Sequence, residues 1–144
     1  MSSKVLIKDL YPVIDEVLAS GGQFSFIPGG VSMRPTLNGT DDEVTVIAPV
    51  TVSKHDIVLF RRCDGQYVLH RVVGVHGDTF TVVGDNQIDA EHIGRGDILA
   101  VVVAYSTRRG AVSNTHAGAR RAAVRRFLRR VKRKTVRIVR SMAK

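Results

Sequence analysis

Residues 56–83 read DIVLFRRCDGQYVLHRVVGVHGDTFTVV, and this stretch decides the fold class. Asp56–Phe60 is a short apolar run, and Asp64-Gly65 is a hairpin turn signal. Gln66–Val75 is a long run rich in β-branched residues, Gly77-Asp78 turns the chain again, and Thr79–Val83 returns. Three such runs joined by tight turns predict neighbouring antiparallel strands. Working outward, Glu43–Ala48 alternates apolar and polar residues, Phe24 and Phe26 alternate with Gln23 and Ser25, and Ile98–Tyr105 is a last core strand. Leu6, Leu10, Val13, Ile14, Val17 and Leu18 recur at helical spacing until Gly21-Gly22, which predicts a helix over about 6–20. The expected fold is mostly β, an antiparallel domain over residues 1–105 with an N-terminal helix.

Residues 106–116 (STRRGAVSNTH) read as a linker. Over 117–144, Val124, Phe127, Leu128, Val131, Thr135, Ile138 and Met142 fall on one helical stripe, with arginine and lysine over much of the remaining surface. The segment reads as a basic amphipathic helix. Charge is divided along the chain. Residues 1–97 hold 8 Lys and Arg against 13 Asp and Glu, whereas residues 98–144 hold 14 Lys and Arg and no acid. The net charge of +9 is therefore a mildly acidic body with a very basic tail.

A 144-residue chain with 44% hydrophobic residues can bury one core. No window approaches the roughly 18 consecutive apolar residues of a membrane span. The opening MSSKVLIKDLYPVIDEV lacks a long apolar core, so the expectation is a cytoplasmic protein, peripheral on the inner face of the cell membrane if the tail binds lipid. Cys63 is alone and forms no intrachain disulfide. Asn38-Gly39-Thr40 reads as a turn rather than a glycosylation site. His55, His76, His92 and His116 show no metal-ligand spacing, and the sequence calls for no metal and no cofactor.

Three segments carry chemistry. Gly30-Val31-Ser32-Met33-Arg34-Pro35-Thr36 holds a serine between apolar neighbours, where Pro35 restricts the backbone. In Tyr67–Gly74, His70 shares a strand face with Val68 and Val72, so it needs a polar partner or a role as a base. Gly84-Asp85-Asn86-Gln87-Ile88-Asp89 supplies two carboxylates able to orient an imidazole, bind a metal or cap a turn. Each alone reads as structural. Together they offer a nucleophile, a base and an orienting acid.

The order Ser32-Met33-Arg34-Pro35-Thr36, Asp56-Ile57-Val58, His70-Arg71-Val72-Val73-Gly74 and Gly84-Asp85-Asn86 resembles the boxes of type I signal peptidases. The wider group includes LexA-like self-cleaving repressors, and the match covers about residues 22–105. A histidine at position 70, where bacterial members have lysine, resembles the endoplasmic-reticulum and archaeal branch. The resemblance implies a LexA/signal-peptidase-like fold and a serine endopeptidase working through a Ser-His(-Asp) arrangement. Ser32 would attack the scissile carbonyl, His70 would shuttle the proton, and the Ser32 N–H would face the oxyanion. Family spacing makes Asp89 the nearest candidate to hold His70, with Asp85 kept beside it. Gly30 stands where many signal peptidases have a second hydroxyl, and His55 where a glycine commonly precedes Asp-Ile-Val. The membrane anchor of signal peptidases is not evident, so a dedicated protein or leader-peptide substrate is expected. A LexA-like self-cleaving regulator that binds DNA and a non-catalytic binding module are the rival readings. For the tail, an anionic membrane surface is favoured over nucleic acid, an acidic partner, or a solvated helix that packs its stripe on the body. Oligomeric state is left open.

Overall fold

A computed structural model describes residues 6–143 of the chain. The termini included in the sequence-based ranges, residues 1–5 and Lys144, lie outside the described residues. The element order is α1 (Ile7–Ala19), β1 (Phe24–Phe26), β2 (Glu43–Ile47), β3 (Ile57–Arg61), β4 (Tyr67–His76), β5 (Thr79–Val83), β6 (Glu91–Gly94), a 3-10 turn (Arg95–Asp97), β7 (Ile98–Thr107), β8 (Gly110–Val112) and α2 (Ala119–Met142). The strands form one antiparallel sheet in the order β1-β2-β7-β3-β4-β5-β6, and β8 pairs with β7. The mostly β class with one helix at each end is as the sequence predicts.

The β3-β4-β5 meander has the register its turns imply, with Val58 opposite His70 and Val72 opposite Val82. β3 is buried on both faces, which is why its apolar residues run without alternation. Ile57 and Leu59 join a cluster with Ile14 and Leu18 of α1, Met33, Leu37, Val44, Val46, Leu69 and Val102. Val58 and Phe60 join a second cluster with Val72, Phe80, Val82, Ile93 and Val101. Each fully buried aliphatic or aromatic side chain contributes roughly 1.5–3 kcal/mol of burial. α1 continues through Pro12, which is exposed, so the carbonyl left without its helical donor faces water. Gly21, at φ +82°, lies just past its end.

Three elements depart from the sequence reading. β6 is a short strand with one buried residue, Ile93, too little apolar content to register in the pattern. The supposed linker is folded onto the body. Residues 110–112 pair with the end of β7, the Thr115 carbonyl accepts from Arg71 at 2.8 Å, and His116 lies 2.7 Å from Asp56. The apolar stripe of α2 does not pack on the body, because the face turned inward carries Ala119, Ala122 and Arg126. No helix among the described residues is long and apolar enough to cross a membrane.

Candidate active site

Ser32 sits in a loop that the body fastens at several points. Asn86 donates through its N–H to the Ser32 carbonyl at 2.8 Å and through its side chain to the Val31 carbonyl at 3.2 Å. Asn38 N–H donates to buried Asp42 at 2.8 Å. Met33 and Leu37 anchor the loop in the first core cluster. Gly39, at φ +78°, lies under the Gly30 carbonyl, and a Cβ there would stand 1.8 Å from that oxygen. Asn38-Gly39 is thus a turn with no space for a side chain at its second residue. The Arg34–Pro35 peptide is cis. Among the described residues the Ser32 N–H has no hydrogen-bond acceptor, which leaves it able to face a developing oxyanion.

Gly84 contacts the same carbonyl that Asn86 holds. A Cβ at Gly84 would lie 2.6 Å from the Ser32 oxygen and 2.9 Å from the Gln87 side chain. Gly84→Ala is therefore expected to push the Ser32 loop outward. It should lower whatever activity Ser32 supports by about tenfold or more, since misplacing a reacting group by an ångström has effects of that order. Turnover of a cleaved peptide measures this, and unchanged turnover would remove the positioning role from Gly84.

His70 lies on β4 facing the second cluster, and its ring meets Phe60 edge-on at 5.6 Å. It is 1% exposed. Ser32 and His70 line one cavity of about 340 Å³ with Gly30, Met33, Arg62 and Gln87. The fold thus brings together the two residues that the sequence reading placed at its centre. Their side chains are not hydrogen-bonded to each other. Burial pushes the His70 pKa down to about 4; Glu91 opposes this and Arg62 adds to it. The imidazole is consequently neutral at pH 7.

The two aspartates of the sequence reading are not beside His70. Asp89 is exposed and lies 3.2 Å from Arg133 of α2. Asp85 is buried against Arg71, whose Nε and Nη2 each donate to it at 2.8 Å. Thr36 of the Ser32 loop donates to Asp85 as well, and Arg126 approaches to 3.9 Å. Arg71 follows His70 directly and so points to the other face of β4. That alternation sends Asp85 away from the imidazole. Its work is to tie the Ser32 loop to the sheet.

The acid that does face the imidazole is Glu91, whose Oε1 is 3.6 Å from His70 Nδ1. Nδ1 is buried and has no hydrogen-bond partner among the described residues. Glu91 is held by Arg62, which donates from Nε to Oε2 at 2.8 Å and from Nη2 to Oε1, and this pairing keeps its carboxyl below the usual range. The sequence reading missed Glu91 because it missed β6. With β6 in place the register supplies it. Glu91 pairs with Val82 and Val82 with Val72, one rank across the sheet that stands two residues from His70. Ile93, two residues on from Glu91 and on the same face, is in the cluster that His70 meets.

His55 explains one departure noted in the sequence. Its φ is +80°, the left-handed region that glycine enters without strain. The conformation is kept because His55 donates to the Val72 carbonyl at 2.8 Å and accepts from Arg71 at 2.9 Å.

No family model, no curated protein and no solved structure matches this chain.

Proposed function

We propose that this protein is a serine endopeptidase in which Ser32 is the nucleophile and His70 its base. The observation that carries the reading is the shared cavity, which is lined by both Ser32 and a buried, neutral imidazole. Ser32 Oγ attacks the scissile carbonyl while His70 takes the hydroxyl proton. The negative oxygen of the tetrahedral adduct meets the Ser32 N–H. Collapse breaks the C–N bond, and His70 returns the proton to the leaving amine. Water, activated by the same imidazole, then releases the acyl group. Glu91 stabilises the imidazolium formed in each step.

A groove of about 1060 Å³ adjoins this cavity between the start of α1 and β1, and the two share Ile7, Pro28, Gly29 and Tyr67. Phe24, Phe26, Ile27 and Leu10 make it apolar. β1 lies at the edge of the sheet and offers free backbone groups on its outer side. An extended apolar peptide suits this surface, and small residues near the cut are what the resemblance to signal peptidases implies.

Incubating the purified protein with a diverse peptide library and reading new termini by mass spectrometry tests the reading. Cuts that vanish in Ser32→Ala and in His70→Ala are expected. A second reading, a binding module on the same framework, draws on the missing Ser32–His70 hydrogen bond and the weak basicity of His70. Peptides retained without cleavage, equally by the parent and Ser32→Ala, would favour it.

Glu91 has its own signature. His70 must be unprotonated to act, so activity is lost as the pH falls through its pKa, near 4 rather than 6.5. Glu91→Gln removes the anion that raises this pKa. The acid limb of kcat/KM is expected to move to lower pH, with kcat down about tenfold or more and KM little changed. Glu91→Asp should restore part of kcat. An unmoved acid limb would reduce Glu91 to a partner of Arg62.

A further inference from the structure

The orientation of α2 is the reverse of what an amphipathic helix on a globular body usually shows. Its cationic side is the side that touches the protein. Arg126 is buried near Asp85, Arg129 donates to the Asn86 carbonyl at 2.8 Å and to its side chain, Arg130 donates to the Ile88 carbonyl at 3.2 Å, and Arg133 meets Asp89 at 3.2 Å. Residues 119, 122, 126, 129, 130 and 133 follow helical spacing along one face. At 100° per residue, Val124, Leu128, Val131, Ile138 and Met142 lie on the opposite face, with Phe127 and Val139 at its borders. That stripe is in water: Phe127 is 66% exposed, Leu128 60% and Met142 79%. Arg120, Arg121, Arg125, Lys132 and Lys134 flank it, and none of them pairs with an acid among the described residues.

We infer that α2 is the foot on which the protein stands on an anionic lipid surface. The stripe enters the acyl boundary, the flanking cations meet the headgroups, and the body rides on the helix's opposite side. Charge complementarity selects this occupant. Residues 98–144 carry fourteen cations and no acid, so a second copy docking through the same stripe would set Arg121, Arg125, Lys132 and Lys134 against like charges. A nucleic acid has use for the cations but leaves an apolar stripe in water. A lipid surface with anionic headgroups takes up both at once.

The same docking ties the foot to the candidate site. Arg129 holds Asn86, and Asn86 holds the carbonyl of Ser32. One loop therefore separates the lipid-facing helix from the nucleophile, which places any substrate at the membrane surface. This last clause rests on the peptidase reading, whereas the lipid surface itself does not.

The full chain is sedimented with vesicles of phosphatidylglycerol and phosphatidylcholine, and with vesicles of phosphatidylcholine alone. Strong binding to the anionic vesicles and little to the neutral ones is expected. The double change Phe127→Ser, Leu128→Ser and the triple change Arg121→Gln, Arg125→Gln, Lys132→Gln should each weaken it at least about tenfold. Phe127, Leu128, Arg121 and Lys132 are exposed and Arg125 is half-buried without an ion-pair partner among the described residues, so urea midpoints should stay close to the parent's and certify the fold. Several outcomes overturn the inference: equal binding to both vesicles, binding to neither, or full binding by the Phe127/Leu128 variant, which would indicate charge attraction alone. Self-association or duplex DNA binding in place of vesicle binding would transfer the surface to a second copy or to nucleic acid. The assay reads no proteolysis, so its failure leaves the peptidase proposal standing, and failure of the library experiment leaves this one.

Discussion

Arg71→Leu is expected to destabilise the protein by about 3–5 kcal/mol, a large part of the 5–15 kcal/mol margin typical of a domain. Both partners of the Arg71–Asp85 pair are fully buried, so neither charge can turn to water. Removing the guanidinium strands a carboxylate, with the Thr36 hydroxyl and Arg126 left near it among the described residues. It also strands the His55 and Thr115 carbonyls, each of which Arg71 satisfies. The damage should reach the candidate site, because Asp85 holds Thr36 and with it the Ser32 loop. Urea unfolding measures the loss. The double variant Arg71→Met, Asp85→Leu should recover part of it, since two apolar side chains leave no uncompensated charge. A loss under about 1 kcal/mol in Arg71→Leu would mean that water reaches the pair and that the anchoring role is wrong.

Ser32→Ala is expected to lower kcat/KM for a cleaved peptide by about a thousandfold or more. Stability should be unchanged, because the Ser32 side chain makes no hydrogen bond among the described residues and is only half-buried. His70→Ala should match that loss in activity while also reducing stability, since it empties a buried site beside Phe60. The two changes together should cost little more activity than either alone, because nucleophile and base act as one unit. If Ser32→Ala kept most of the activity, the hydroxyl would not be the nucleophile and the cavity would be a binding site.

Residues close in sequence were readable and residues close only in space were not. The Asp64-Gly65 and Gly77-Asp78 turns and the β-branched runs between them identified β3, β4 and β5 to within a residue or two of their observed ends. Glu91-His92-Ile93-Gly94 gave no such signal, and the acid nearest His70 went with it. The choice between Asp85 and Asp89 was open because spacing along a loop says nothing about which face of β4 the loop returns to. The structure puts neither beside the imidazole: Arg71 points away from it and takes Asp85 with it, and Asp89 is exposed beside Arg133.

Local chemistry, written residue by residue, determined most of the strands, the turns, the helix ends marked by glycine and the amphipathic pattern of the tail. It also marked Ser32 and His70 as the residues to follow. Only the tertiary structure decided that the two share a cavity, that Glu91 rather than an aspartate faces the imidazole, and that α2 turns its arginines inward. The physical reason is that a side chain's partner is set by strand register and by which face it occupies. Both depend on segments far apart in the chain finding each other, as Arg71 does with His55, Asp85 and Thr115. The inward arginines follow the same logic: loop 85–89 offers carbonyls and carboxylates that satisfy guanidinium groups.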